Sequence, residues 1–177
     1  MADLLAARGA VLISADSQGH AVLEAGGEAH AAVAERWPEV VSDGFISRGR
    51  LAAIVFDDPD ALTELERLTH PAIADRIRRL VDEAGDRPVV LEVPVLDGPV
   101  AQPSGEWRHV LVEAPALLRR ARSIERGMAP GDVDRRMAAQ PSREDRMAWA
   151  DDVIVNEGTL EDLEAEVEAL WRQLSAG

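Results

Sequence analysis

Lysine is absent from this chain of 177 residues, and all 19 of its basic side chains are arginine. GC-rich coding gives such a bias without any functional meaning, but the absence still removes every mechanism that rests on a lysine. Cysteine is absent too, which excludes disulfides and thiolate metal sites and is compatible with a reducing compartment. No apolar run approaches the length of a membrane span. The N-terminus carries Asp3 and no basic cluster, so it does not read as a secretory signal, and a cytoplasmic protein is expected. Positive charge is scarce: 33 acids against 19 bases leave a net charge of −14. That argues against nucleic acid or an anionic membrane as a partner. It does not argue against a local anion site, because the arginines are unevenly spread.

An apolar fraction of 46% is enough for a real core, and the length fits one compact domain over residues 1–177. Ala2 to Arg8 reads as a helix closed by Gly9. The runs Val11-Leu12-Ile13, Val89 to Val93, His109 to Glu113 and Asp152 to Asn156 read as strands, the first two of the type buried on both faces. Helical stretches separate them. Gly26-Gly27 breaks one, Glu28 to Trp37 resumes it, and Ser47 is placed to cap a helix through Phe56. Asp60 is placed to cap the next, which Pro71 is expected to interrupt before Ile73, Ile77 and Leu80 continue its apolar stripe. The chain from Ala116 to Ala150 is helical. Thr159 with Asp162 three residues on reads as a capping box for a last helix with Leu160, Leu163, Val167, Leu170, Trp171 and Leu174 on one face. Alternating strands and helices predict an α/β fold with a mostly parallel sheet and flanking helices. Ligands bind such sheets at the carboxyl ends of the strands, where Asp16, Pro94 to Asp97, Ala114-Pro115 and Asn156 fall.

Asp16, just past a strand, has the chemistry of a general base on a hydroxyl, or of a helix N-cap. Glu92 ends the apolar run VVLE. A buried acid there needs a cation, either Mg²⁺ through a bound water or an arginine. Arg119, Arg120, Arg122, Arg126, Arg135, Arg136, Arg143 and Arg146 crowd the third helical stretch. Guanidinium groups bind phosphate bidentately, and a helical flap bearing them suits a phosphoryl-transfer lid. The same arginines have Glu125, Asp132, Asp134, Glu144 and Asp145 as alternative partners. The histidines at 20, 30, 70 and 109 show no ligand spacing. The tryptophans read as packing, and the serines form no nucleophile elbow.

Four segments, in order, resemble the dephospho-coenzyme A kinases, relatives of the P-loop nucleotide kinases: ADLLAARGAVLISAD, GRLAAIVFDDPDALTELERLTHPAI, VVLEVPVL and RRMAAQPSREDRMAWADDVIVNEG. They span nearly the whole chain. The resemblance implies a three-layer nucleotide-kinase fold, a helical acceptor-side insertion over 22–86 and an arginine-rich lid over 117–150. It implies transfer of the γ-phosphoryl of Mg-ATP to the ribose 3′-hydroxyl of dephospho-CoA. On that basis Asp16 is the base, and His70, Pro71 and Pro94 lie beside the acceptor. Arg136 and Gln140 face the nucleotide phosphates, Asn156 and Gly158 lie near the adenine, and Glu92 serves the metal through its bound water.

The sequence departs from the family pattern at the same places. Ser14 stands where the family has the first acid of Asp-Ala-Asp, His20 where it has an arginine, and Gly98 where it has a glutamate. The family begins with a strand and the loop G-x-x-x-x-G-K-[ST], whose amides and lysine hold the nucleotide phosphates. The present sequence opens on the helix that the family places after that loop, and without lysine nothing in it takes over the role. The chain as given is therefore expected to be inactive alone. The family's first strand is central, between the strands here at Val89–Val93 and His109–Glu113. Without it those strands are expected either to keep open inner edges or to close together, and a partner chain or self-association could cover the edges. Two origins fit: a start codon placed too late, which upstream DNA encoding the loop would reveal, or a degenerate paralogue that keeps a CoA-like ligand or an interaction role.

Overall fold

The computed structural model describes residues 1–93 and 106–175. Along the chain run α1 (Ala2–Ala6), β1 (Val11–Ser14), α2 (Ala15–Leu23), α3 (His30–Arg36), β2 (Val41–Ser42), β3 (Phe45–Ile46), α4 (Arg48–Asp57), α5 (Pro59–Ala84) and β4 (Val89–Glu92). After these come β5 (Val110–Glu113), α6 (Ala116–Glu125), α7 (Pro130–Ala139), α8 (Arg143–Trp149), β6 (Asp152–Val155) and α9 (Leu160–Ser175). The described residues gather into two compact units, one of residues 9–93 and one of residues 106–175 together with 3–8.

In the first unit β1 and β4 pair in parallel, with Val11 beside Val89 and Ser14 beside Glu92. The side chains of Ile13, Val22, Val33, Trp37, Val40, Leu51, Val55, Ile73 and Ile77 close into one apolar core. The turn between α2 and α3 depends on Gly27, where a Cβ would stand 2.5 Å from the carbonyl oxygens of Ala21 and Val22. A short antiparallel hairpin joins β2 to β3 through Asp43-Gly44, both at positive φ. The Asp-Gly pair between apolar residues is a hairpin signal in its own right, and sequence reasoning missed it.

Helix α5 corrects two expectations. It runs unbroken through Pro71 for 26 residues. An internal proline removes one backbone donor and costs about 3 kcal/mol. The burial of Ala61 and Thr69 before it, and of Ile73 and Ile77 after it, ties both halves to the same core and outweighs that loss. Thr69 is buried without penalty because its hydroxyl donates to the Leu65 carbonyl at 2.8 Å. The cap is Asp58, not Asp60: its carboxylate accepts from the backbone N–H groups of Asp60 and Ala61, and Pro59 fills the first helical position.

In the second unit β5 and β6 pair in parallel, with Glu113 beside Val155. Helices α6, α7 and α8 fill the connection between them. Helix α9 buries Leu163, Val167 and Leu170, and leaves Leu160 and Leu174 of its expected face exposed. Its start is the expected capping box: the Thr159 hydroxyl accepts from the Asp162 N–H, and the Asp162 carboxylate accepts from the Thr159 N–H at 2.8 Å. Gly158 precedes it for a steric reason, since a Cβ there would lie 2.3 Å from an oxygen of Asp162. Arg8 and Glu168 pair at 2.8 Å and fasten the chain after α1 to α9.

Among the described residues β4 has β1 as its one hydrogen-bonded neighbour, and β5 has β6. No described helix is long and apolar enough to cross a membrane.

Candidate active site

Asp16 lies in the first turn of α2, at the carboxyl end of β1. The cap of this helix is Ser14, whose hydroxyl oxygen accepts from the Ser17 N–H at 3.3 Å. Capping therefore does not use Asp16, and its side chain is 70% exposed. Its charge is favoured there by the positive end of the helix. The His20 Nε2 stands 3.6 Å from the Asp16 carboxylate, one turn on. A strand-end carboxylate that is exposed and free of backbone hydrogen bonds is chemically able to take a proton from a hydroxyl.

Glu92 does not meet the expectation of burial. It ends β4 exposed to solvent, with no ion pair among the described residues. Nor is there, among the described residues, a group of three carboxylate or imidazole side chains able to hold a metal. The described donors therefore do not form a metal site made of protein groups alone. His70 is half-buried and Pro71 exposed, consecutive in the middle of α5. Pro94 lies outside the described residues, as does Gly98.

The buried strand-end acid is Glu113, which sequence reasoning missed. It ends β5 with 4% of its surface exposed. One carboxylate oxygen accepts from the Ala114 N–H at 3.0 Å, and the other accepts from Arg146 at 2.7 Å. Burial pushes its pKa up, but the Arg146 and Ala114 hydrogen bonds and the charges of Arg146 and Arg119 outweigh burial, so the net shift is downward. Glu113 is held as a carboxylate.

Around this acid the arginines divide by partner. Arg120 forks onto Asp134 at 2.7 and 3.1 Å, and Arg135 pairs with Asp132. These satisfy the plainer reading of the cluster as a solvated, ion-paired surface. Arg122 does something else: it donates to the backbone carbonyls of Asn156 at 2.8 Å and Gly158 at 3.4 Å, holding the loop between β6 and α9. Arg119 donates to the Gln140 side-chain oxygen at 2.7 Å. Arg119, Arg122, Arg126 and Arg136 all line a 730 Å³ cavity that also includes Gln140 and Asn156, with Glu125 as its acidic member. The structure thus brings Arg136, Gln140 and Asn156 together around one cavity. Gly158 is joined to them through Arg122 rather than by lining the cavity.

Parallel strand pairs flanked by helices, with acids at strand ends and arginines gathered around one cavity, have the form of a nucleotide-kinase-like α/β fold. The family model for dephospho-CoA kinase matches residues 1–162. The chain is 38% identical to the dephospho-CoA kinase of Methylococcus capsulatus, an alignment covering 99% of this chain and 89% of that protein. It is 39% identical to the Streptomyces avermitilis dephospho-CoA kinase over 97% of this chain and 85% of the relative. Among solved structures, TT1252 from Thermus thermophilus superposes with a TM-score of 0.83 at 30% identity, covering 98% of this chain and 89% of that one. The Campylobacter jejuni dephospho-CoA kinase shares the fold at 22% identity with a TM-score of 0.70, covering 99% of this chain and 90% of that one. The chain belongs to the dephospho-CoA kinase family, which acts in coenzyme A biosynthesis.

Proposed function

We propose that these 177 residues carry the acceptor acid and the arginine half of a dephospho-CoA kinase site, and that without a phosphate loop they transfer phosphate negligibly on their own. The observation that carries this is the absence of any lysine, and hence of G-x-x-x-x-G-K-[ST], from a chain that otherwise keeps the family's motifs in order. In the family reaction the ribose 3′-oxygen of dephospho-CoA bonds to the γ-phosphorus of ATP. Its proton passes to a base and the bond from γ-phosphorus to the ADP oxygen breaks. Asp16 is exposed and free of a capping role, which suits the base. Arg119, Arg122, Arg126 and Arg136 line a cavity suited to the polyphosphate. His70, Pro71 and Pro94 are assigned to the acceptor side, and Asn156 and Gly158 to the adenine side. Magnesium arrives on the nucleotide, as is usual for that ion.

A second reading is favoured by the first turn of α2. Ser14 keeps the helix cap while giving up an acid, and His20 keeps a position over Asp16 while giving up a permanent charge. A ligand-binding or interaction module that has lost turnover would look this way.

A coupled ADP-release assay with Mg-ATP and dephospho-CoA, paired with calorimetric titration of dephospho-CoA, tests both. The expected result is no turnover above a no-protein control. Turnover above that control overturns the proposal. Binding without turnover assigns a pseudoenzyme, and absence of both assigns an interaction role or an orphan product.

A further inference from the structure

Glu113, buried, forms an ion pair with the partly buried Arg146, whose side chain is 11% exposed. Such a pair is a poor source of stability, because desolvation cancels most of its attraction, and its better-attested use is to fix one arrangement among several. What it fixes can be traced bond by bond. Arg146 belongs to α8, and its second nitrogen donates to the Pro141 carbonyl at 2.6 Å. Pro141 lies in the turn from α7 to α8, beside Gln140, and Gln140 accepts from Arg119 of α6. Arg119 closes the ring: its Nε is buried without a hydrogen-bond partner, 4.0 Å from the Glu113 carboxylate. One carboxylate on the strand end thus gathers α6, the α7–α8 turn and α8. The same residues line a 520 Å³ cavity with Ser142 and Arg143.

We propose that Glu113 is a positioning residue: it anchors α8 and the α7–α8 turn to the end of β5, and so sets where Gln140 and Arg143 stand for an incoming nucleotide polyphosphate. The nucleotide half of this rests on the function proposed above; the anchoring half does not.

Amide hydrogen exchange and ATP titration on the full chain test the two halves separately, using Glu113→Gln and Glu113→Asp. In Glu113→Gln the amides of Arg143–Trp149 are expected to exchange at least tenfold faster, while those of Leu163–Leu170 in α9 keep their rate. ATP affinity falls at least tenfold and dephospho-CoA affinity is unchanged. Glu113→Asp, which keeps the charge, restores most of both effects. Unchanged exchange in α8, or equal loosening of α8 and α9, overturns the anchoring. Loosened α8 with unchanged ATP affinity overturns the positioning of the nucleotide site. If the parent chain binds no ATP at all, the nucleotide half is overturned, while the lack of turnover proposed above stands. The exchange data still decide whether Glu113 is the anchor.

Discussion

Two acids at the carboxyl ends of strands, Glu113 on β5 and Asp16 just past β1, have opposite surroundings. Glu113 is buried, accepts two hydrogen bonds and has arginines on two helices drawn around it. Asp16 is exposed, makes no backbone hydrogen bond, and has a histidine as its near neighbour. The first arrangement is structural: every lone pair it uses is committed to holding the chain. The second leaves its carboxylate uncommitted, which is the state that proton transfer requires. Strand-end location alone does not distinguish these roles. The number of donors aimed at the acid does.

The largest expected effect separates the two acids by stability. Glu113→Ala leaves the Arg146 guanidinium buried without its counter-charge, at a cost of about 3 kcal/mol. Guanidinium denaturation monitored by far-ultraviolet circular dichroism measures it. A loss under about 1 kcal/mol would place Glu113 with ordinary surface acids and dissolve the comparison.

The pH dependence is smaller but carries a sign. The folded pKa of Glu113 is depressed, so the stabilisation it brings is fully present above the ordinary glutamate value of 4.5 and is lost as pH falls through the lower folded value. Asp134, Asp152, Asp162, Glu168 and Glu28 are also held low by their own hydrogen bonds, so the whole chain loses stability in acid. The Glu113 share is the difference between the parent chain and Glu113→Gln. Thermal midpoints of the two are expected to lie apart by a constant amount well above the ordinary glutamate value and to converge as pH falls below it and through the lower folded value. A gap that persists unchanged into acid would mean that the glutamine, not the lost charge, causes it.

The sequence made the outline of the fold legible and misplaced its buried acid. Apolar runs marked the strands, and the Thr159/Asp162 pattern marked the start of α9, because both signals are local. VVLE and VLVE are nearly the same tetrapeptide, and choosing between Glu92 and Glu113 required knowing which end receives an arginine from far along the chain. Arg146 lies 33 residues beyond Glu113, and nothing in the spacing announces it. The continuous helix through Pro71 was hidden for a related reason. Local preference argued for a break, and the burial of Ile73 and Ile77 against the shared core decided otherwise. Arg136, Gln140 and Asn156 were named through a family motif and Arg122 as one of a cluster of arginines, but its hold on the backbone of the Asn156 loop is visible only in the geometry.

The smallest expected effect is the other half of the comparison. Asp16→Asn removes a charge that faces solvent and leaves the Ser14 cap intact. Stability is then expected to change by about 0.5 kcal/mol, the worth of one exposed acid near a helix N-terminus. The same denaturation experiment reads it. If Asp16→Asn costs as much as Glu113→Ala, Asp16 is committed to structure and cannot be the free base that phosphoryl transfer requires. If it costs as little as expected, the position tolerates loss of the charge. The acid in α2 then serves something other than folding, while Ser14 beside it caps the helix.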